Sequence, residues 1–238
     1  MKSMTDLRVK LFADGADLAD MMDLYRRPYI RGFTTNPTLM HKAGVRDYRG
    51  FAKEVLAAIP DRPISFEVFS DEFAQMEAQA REIATWGGCV YVKIPVTNTR
   101  GEPASDLIRR LSHTGVRVNV TAVLTLEQVA AAVDALTGGA PSTVSIFAGR
   151  IADTGRDPVP IVADAVQIVG RAPRAELIWA SPREVLNVVQ ADRVGCHIIT
   201  ATKDILAKIE LLGKDLGEFS LDTVKMFHRD AERAGLTL

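Results

Sequence analysis

Cys-Val-Tyr-Val-Lys-Ile-Pro-Val, residues 89–96, reads as a buried β-strand with one misfit, Lys93, set among side chains suited to a dry interior. Val90, Val92, Ile94 and Val96 share one parity and face one side of such a strand, while Cys89, Tyr91 and Lys93 face the other. An ammonium in apolar surroundings costs free energy unless it is paired or gives up its proton. A lysine whose pKa is lowered by burial attacks carbonyl carbon, and Schiff-base chemistry is the main use of an amine held inside a protein. The stretch therefore points to an enzyme.

Outward from this strand, similar short runs recur at regular spacing. They are Val9 to Ala13, Ile30 to Thr34, Ile64 to Phe69, Val90 to Ile94, Val116 to Ala122, Thr143 to Phe147, Glu176 to Ala180 and Gly195 to Ile199. Between them lie segments such as Glu72 to Trp86 and Leu126 to Leu136, with apolar residues at helical spacing. Eight βα units in 238 residues predict an α/β fold, a single (β/α)8 TIM barrel spanning 1–238. The competing open, doubly wound sheet requires a glycine-rich phosphate loop after the first strand, and Asp14-Gly15-Ala16-Asp17 is not one. No Pro/Gly/Ser linker or low-complexity tract divides the chain. Leu216 to Ala234, within the closing stretch 216–238, predicts an extra C-terminal helix with Leu221, Val224 and Phe227 on one stripe. It either caps the barrel or packs on a neighbouring subunit.

Composition narrows the class. With 29 basic against 30 acidic residues and no long run of one sign, the chain has no footprint for nucleic acid or an anionic membrane. The hydrophobic share of 47% suffices for a large core, and no apolar run approaches the length of a membrane span. Cys89 and Cys196 lie in apolar segments, which suits buried, reduced thiols and a cytoplasmic protein; no zinc-type spacing occurs. His41, His113, His197 and His228 share no metal-ligand spacing and have no serine or cysteine partner motif.

Barrel strands alternate side chains between the interior and the helical layer, so parity tells where each residue points. Glu67 in the third run, Lys93 in the fourth, Asn119 and Thr121 in the fifth, and Ser145 and Phe147 in the sixth all turn inward. Asp14 shares parity with Phe12, and Asn36 follows the second run. Asp14, Asn36, Glu67, Lys93, Asn119, Thr121 and Ser145 thus gather toward the C-terminal ends of the strands, the face where such barrels place their active sites. So many polar residues converging from different strands are hard to explain by packing.

The chain resembles the transaldolase family, including its short members and the related fructose-6-phosphate aldolases. The resemblance rests on Gly-Phe-Thr-Thr-Asn-Pro-Thr-Leu (32–39), Val-Lys-Ile-Pro-Val-Thr (92–97), Asn-Val-Thr-Ala-Val (119–123), Ser-Ile-Phe-Ala-Gly-Arg-Ile (145–151) and Ala-Ser-Pro-Arg (180–183). It runs over nearly the whole chain, in order. It implies a barrel that needs no metal or other cofactor and that makes or breaks a carbon–carbon bond through a lysine Schiff base. By resemblance Lys93 is the nucleophile, Asp14 the base at the hydroxyl of the carbon released, and Glu67 with Thr121 the pair that holds water and moves protons at the imine. Asn36, Asn119 and Ser145 would hydrogen-bond the dihydroxyacetone unit, with Phe147 beside them, and Arg150, Ser181 and Arg183 match the phosphate-binding positions. Pro182 stands where an aromatic residue is often found, a departure that bears on the shape of the phosphate pocket.

Plainer roles exist for each. Lys93 is a salt-bridge partner if an internal carboxylate meets it, and Glu67 then merely neutralises it. Asp14 is a potential N-cap. Asn36, held extended by Pro37, is a potential turn former. Arg150 and Arg183 are potential surface ion pairs. Lys203 is a rival amine, but its place beside Asp204 at a helix start favours a surface role; Trp86 and Trp179 suit core or rim, and the polar loop Asp153 to Asp157 suits a flap over the site.

Three functions compete. A transaldolase moves a dihydroxyacetone unit from a ketose phosphate to an aldose phosphate; a fructose-6-phosphate aldolase releases that unit free; a non-catalytic sugar-phosphate binder uses the same barrel. Glu67 and Phe147 match the transaldolase pattern, where the aldolase pattern tends to carry Gln and Tyr. The partners expected are sugar phosphates and, by resemblance, further copies of the chain in rings of five or ten.

Overall fold

In the computed structural model, which describes residues 6–235, eight parallel strands close into one barrel in chain order. They are β1 (Lys10–Asp14), β2 (Ile30–Thr34), β3 (Ile64–Glu67), β4 (Val90–Pro95), β5 (Val118–Val123), β6 (Ser142–Ile146), β7 (Ala175–Trp179) and β8 (Ile198–Ala201). Helices follow the strands, and β8 pairs with β1 to complete the ring. This is the (β/α)8 barrel that the spacing of the runs predicts.

Parity explains the core. Val92, Ile94, Val118, Val120, Val144 and Ile146 are fully buried between strands and helices. Each contributes about 1.5–3 kcal/mol relative to exposure. A separate apolar set, Phe12, Ile178, Ala180 and Ile198 with Phe147, fills the barrel interior. Gly32 makes room for it: a Cβ there would lie 2.5 Å from the Phe12 ring.

Helix starts are set locally. Thr125 accepts from the Gln128 N–H while the Gln128 side chain accepts from the Thr125 N–H, a capping box that opens helix Leu126–Leu136 directly after β5. Asp17 caps helix Leu18–Tyr25 by accepting from the Asp20 N–H at 2.9 Å, so the cap considered for Asp14 falls to its neighbour.

Only β2 has the bounds the sequence suggests; β1, β4, β6 and β7 differ by one residue, and three strands differ by more. The eighth strand begins at Ile198, because Gly195 (φ +76°) and the Cys196 N–H on the Ala191 carbonyl still belong to the end of the preceding helix. β3 stops at Glu67 before Phe69, and β5 runs two residues later at its start and one later at its end than the sequence suggests.

Helix Leu216–Arg233 buries none of its residues, and Leu221, Val224 and Phe227 are 52%, 61% and 63% exposed. Residues 236–238 of that predicted segment lie outside the described residues. No helix among the described residues is long and apolar enough to cross a membrane.

Candidate active site

Register places the central pair. Glu67 on β3 stands opposite Lys93 on β4, and Lys93 Nζ lies 2.8 Å from Glu67 Oε2. The same nitrogen donates to the Thr35 carbonyl at 2.9 Å, and Lys93 is 6% exposed. Of the two ways open to a buried ammonium, the structure uses pairing. Glu67 is itself held from behind, since the Tyr48 hydroxyl donates to the Glu67 carbonyl (3.0 Å) and accepts from its N–H (2.8 Å).

Asp14 ends β1 on the same wall. Its Oδ1 accepts from Thr34 Oγ1 at 2.7 Å, Thr34 also bonds Thr200 at 2.6 Å, and Oδ2 accepts from Asn36 Nδ2 at 3.4 Å. Burial pushes the Asp14 carboxyl above its ordinary range, outweighing the Lys93 charge and the Thr34 hydrogen bond that act the other way. Asn36 does two things at once: extended at φ −155°, it caps helix Pro37–Lys42 through Oδ1 to the Leu39 N–H (2.9 Å) and turns its NH2 toward Asp14.

On β5, Thr121 Oγ1 is buried and has no hydrogen-bond partner among the described residues. The pairing of β5 with β6 shifts register there, and Ala122 takes φ +61°, a left-handed conformation that costs a non-glycine residue about 1–3 kcal/mol. Strain beside an unsatisfied hydroxyl is common at sites built for a ligand.

All of the predicted site residues except Asn119 line one cavity of about 460 Å³ at the C-terminal mouth of the barrel. Asn119 is fully buried beneath it, donating from Nδ2 to Ser65 Oγ (3.0 Å) and accepting at Oδ1 from Ser145 Oγ (2.7 Å). It holds Ser145, which reaches the wall; Asn119 itself does not.

The rim carries the arginines. Arg183 grips Asp153 with both Nε (2.9 Å) and Nη2, and its Nη1 donates to Ser181 Oγ (3.0 Å). Each charge steadies the other, holding the Asp153 carboxyl low and the Arg183 guanidinium high. Arg150 has no ion pair among the described residues and lies 6.0 Å from the centre of the Phe147 ring. Gly149 is required here, since a Cβ would fall 1.5 Å from the Ser181 carbonyl oxygen, where Ser181 sits at φ +59°.

Sequence reasoning missed Thr34, which bonds Asp14, and Thr200, which bonds Thr34, both lining the cavity, and Thr35 and Ser65 just behind it. Thr34 had the inward parity of Gly32, a usable signal. Thr200 had none once the eighth strand was placed too early. Lys203 pairs with Asp20 at 2.6 Å on an exposed face, and no group of three or more His, Cys, Asp or Glu among the described residues is placed to hold a metal ion.

Residues 11–238 match the model of the family described as Transaldolase/Fructose-6-phosphate aldolase. A "Probable transaldolase" of Pelotomaculum thermopropionicum is 36% identical over 228 residues, 94% of this chain and 98% of the relative. Another, of Dehalococcoides mccartyi, is 34% identical over 202 residues, 84% of this chain and 90% of the relative. Among solved structures, one described as native KDPGal aligns with a TM-score of 0.54 over 86% of each chain at 14% identity. A 2,3-dimethylmalate lyase aligns at 0.55, also at 14% identity, over 96% of this chain and 84% of its own. Those structural likenesses speak to the barrel alone.

Proposed function

The chain belongs to the transaldolase/fructose-6-phosphate aldolase family, and from that premise we propose that it is a transaldolase moving a dihydroxyacetone unit from a ketose phosphate to an aldose phosphate. The observation that carries this reading is a buried lysine, Lys93, set between Glu67 and the Thr35 carbonyl in a cavity that also holds Asp14 and a Thr121 hydroxyl with no partner among the described residues.

Chemistry follows from those positions. The Lys93 amine, once Glu67 takes its proton, adds to the ketose carbonyl; the carbinolamine then loses water as the iminium forms, with Glu67 and Thr121 passing protons at that carbon. Asp14 takes the proton from the hydroxyl on the carbon to be released, two carbons along from the iminium carbon. Electrons of the breaking carbon–carbon bond move into the iminium, an aldehyde leaves, and an enamine remains on Lys93. Attack of the enamine on a second aldehyde, with Asp14 returning the proton, reverses these steps and builds the new ketose. Burial makes the Asp14 carboxylate hold a proton more readily, which suits a group that must take one and give it back. No cofactor is required, because the iminium is itself the electron sink.

Asn36 and Ser145 would orient the dihydroxyacetone hydroxyls, with Asn119 holding Ser145 from below. Arg150, which has no ion pair among the described residues, would take the substrate's phosphate, with Ser181 and Arg183 beside it. Phe147 packs on the interior apolar set and offers no hydroxyl to activate water at the imine. Together with Glu67 it favours transfer over release, so the aldolase reading ranks second.

Both cysteines are free thiols, which supports a reducing, cytoplasmic setting. The uncovered face of helix Leu216–Arg233 supports a homo-oligomer in which a second copy covers it.

Borohydride trapping with candidate ketose phosphates, followed by peptide mass mapping, tests the nucleophile, with label expected on the peptide containing Lys93. Product release is then compared with and without an aldose acceptor. Label on another peptide, or none, overturns the Schiff-base reading, and release that ignores the acceptor moves the assignment to an aldolase.

A further inference from the structure

The opposite, N-terminal end of the barrel holds a second cavity, of about 210 Å³, lined by Lys10, Arg31, Ser65, Tyr91, Thr143 and Glu176. Phe12, Ile178 and Ile198 roof it and belong to the apolar set in the barrel interior. Thr143 is 4% exposed, and its hydroxyl is buried without a hydrogen-bond partner among the described residues. Buried hydroxyls are nearly always satisfied, so this one points to an occupant. Tyr91 is half-buried, and its ring makes contact with the Arg117 guanidinium at 5.9 Å while its hydroxyl makes no hydrogen bond among the described residues. Lys10 is matched by Glu176 at 2.6 Å, and the exposed Arg31 has no ion pair among the described residues.

The volume holds about seven waters at about 30 Å³ each, or one three-carbon molecule. One buried hydroxyl, Thr143, a second on the half-buried Tyr91, and an exposed guanidinium without an ion pair among the described residues match a ligand with hydroxyls and a single negative charge. We propose that this chamber binds a small hydroxylated monoanion, its carboxylate at Arg31 and its hydroxyls at Thr143 and Tyr91. Ser65 lines the chamber and accepts from Asn119, which accepts from Ser145 on the wall of the upper cavity. Occupancy is thereby connected, through three side chains, to the site where the ketose is held.

D-glycerate is the probe. Calorimetric titration of the full-length protein should give one site with a Kd of about 1 mM, the strength expected of so small a ligand. The same titration of the double variant Lys93→Met, Glu67→Gln, which leaves no stranded carboxylate, should be unchanged, which separates the chamber from the upper cavity. Thr143→Val and Tyr91→Phe, both conservative in shape, should each weaken binding about 3- to 10-fold, the worth of one hydrogen bond. Arg31→Gln, at an exposed position, should do the same without risk to folding. Saturating glycerate should change the KM for the ketose in the wild type and not in Thr143→Val. No binding, or binding that all three chamber variants leave intact, overturns the inference and leaves a water-filled space. Binding without an effect on KM overturns the connection to the upper cavity. The titrations hold whether or not the chain proves to be a transaldolase, so failure of that reading is told apart by the trapping experiment.

Discussion

Replacing Thr121 by valine separates folding from catalysis in one step. The two side chains have nearly the same shape, so the change exchanges the Thr121 hydroxyl for a methyl group in a site that is 2% exposed. That hydroxyl has no partner among the described residues, and leaving such a group buried costs about 1–3 kcal/mol. The variant should therefore be more stable by about 1 kcal/mol, or about 2–4 °C in Tm for a chain of this length. The same hydroxyl is the group proposed to pass protons while the imine forms and hydrolyses. Its loss should lower kcat by about 100-fold, the lower bound for a positioned proton-transfer group. Urea unfolding followed by circular dichroism gives the first quantity, and ketose-to-aldose transfer with saturating donor gives the second. A variant that turns over normally, or that loses more than about 1 kcal/mol of stability, refutes the reasoning, because the hydroxyl would then be tied to structure rather than kept for the reaction.

Other perturbations test other parts of the site. Lys93→Met should abolish trapping and destabilise the fold by about 3–5 kcal/mol, because it strands the Glu67 carboxylate. Adding Glu67→Gln should recover most of that loss, and urea titration of both variants checks it. Asp14 binds its proton more tightly folded than unfolded, so it favours folding below the ordinary value of 3.8, a contribution lost as pH rises through the raised folded value. Asp14→Asn should accordingly gain stability over the wild type as the medium goes from acid to neutral; a difference that is flat with pH would count against the burial argument. Asp153→Asn should release the Arg183 fork and lower KM for phosphorylated ketoses only, read by comparing phosphorylated and unphosphorylated donors. Val224→Glu should shift the chain toward monomer in size-exclusion chromatography with light scattering, and an unchanged elution would show that this face of the last helix is not an interface.

Much of this was legible in the sequence because a closed barrel enforces strict alternation. Once Lys93 faced inward, Glu67, Thr121 and Ser145 were assigned by counting in twos along neighbouring runs. Counting gives a side and not a height: Asn119 has the right parity but stands one level below Thr121, under the cavity rather than in it. Register is likewise invisible along a single run, so the opposition of Glu67 and Lys93 emerged only from strand pairing. Thr200 was lost because Gly195 and Cys196 look like strand in composition yet serve as the end of a helix, and Thr35 acts through its carbonyl, which no side-chain pattern encodes. The partnership of Arg183 with Asp153 joins residues 30 apart, with helix Pro158–Val169 and β7 between them, and has no periodic signal at all.

Position 149 admits nothing larger than hydrogen, so the segment carrying Arg150 and the one carrying Ser181 and Arg183 touch main chain to main chain. For anyone retuning this catalyst, that contact makes the two segments a single heritable block. Chimeras whose crossover falls between residues 149 and 181 should inherit a steric clash whenever the donor parent has a bulkier residue at the first position, while swaps that transplant both segments together should remain viable.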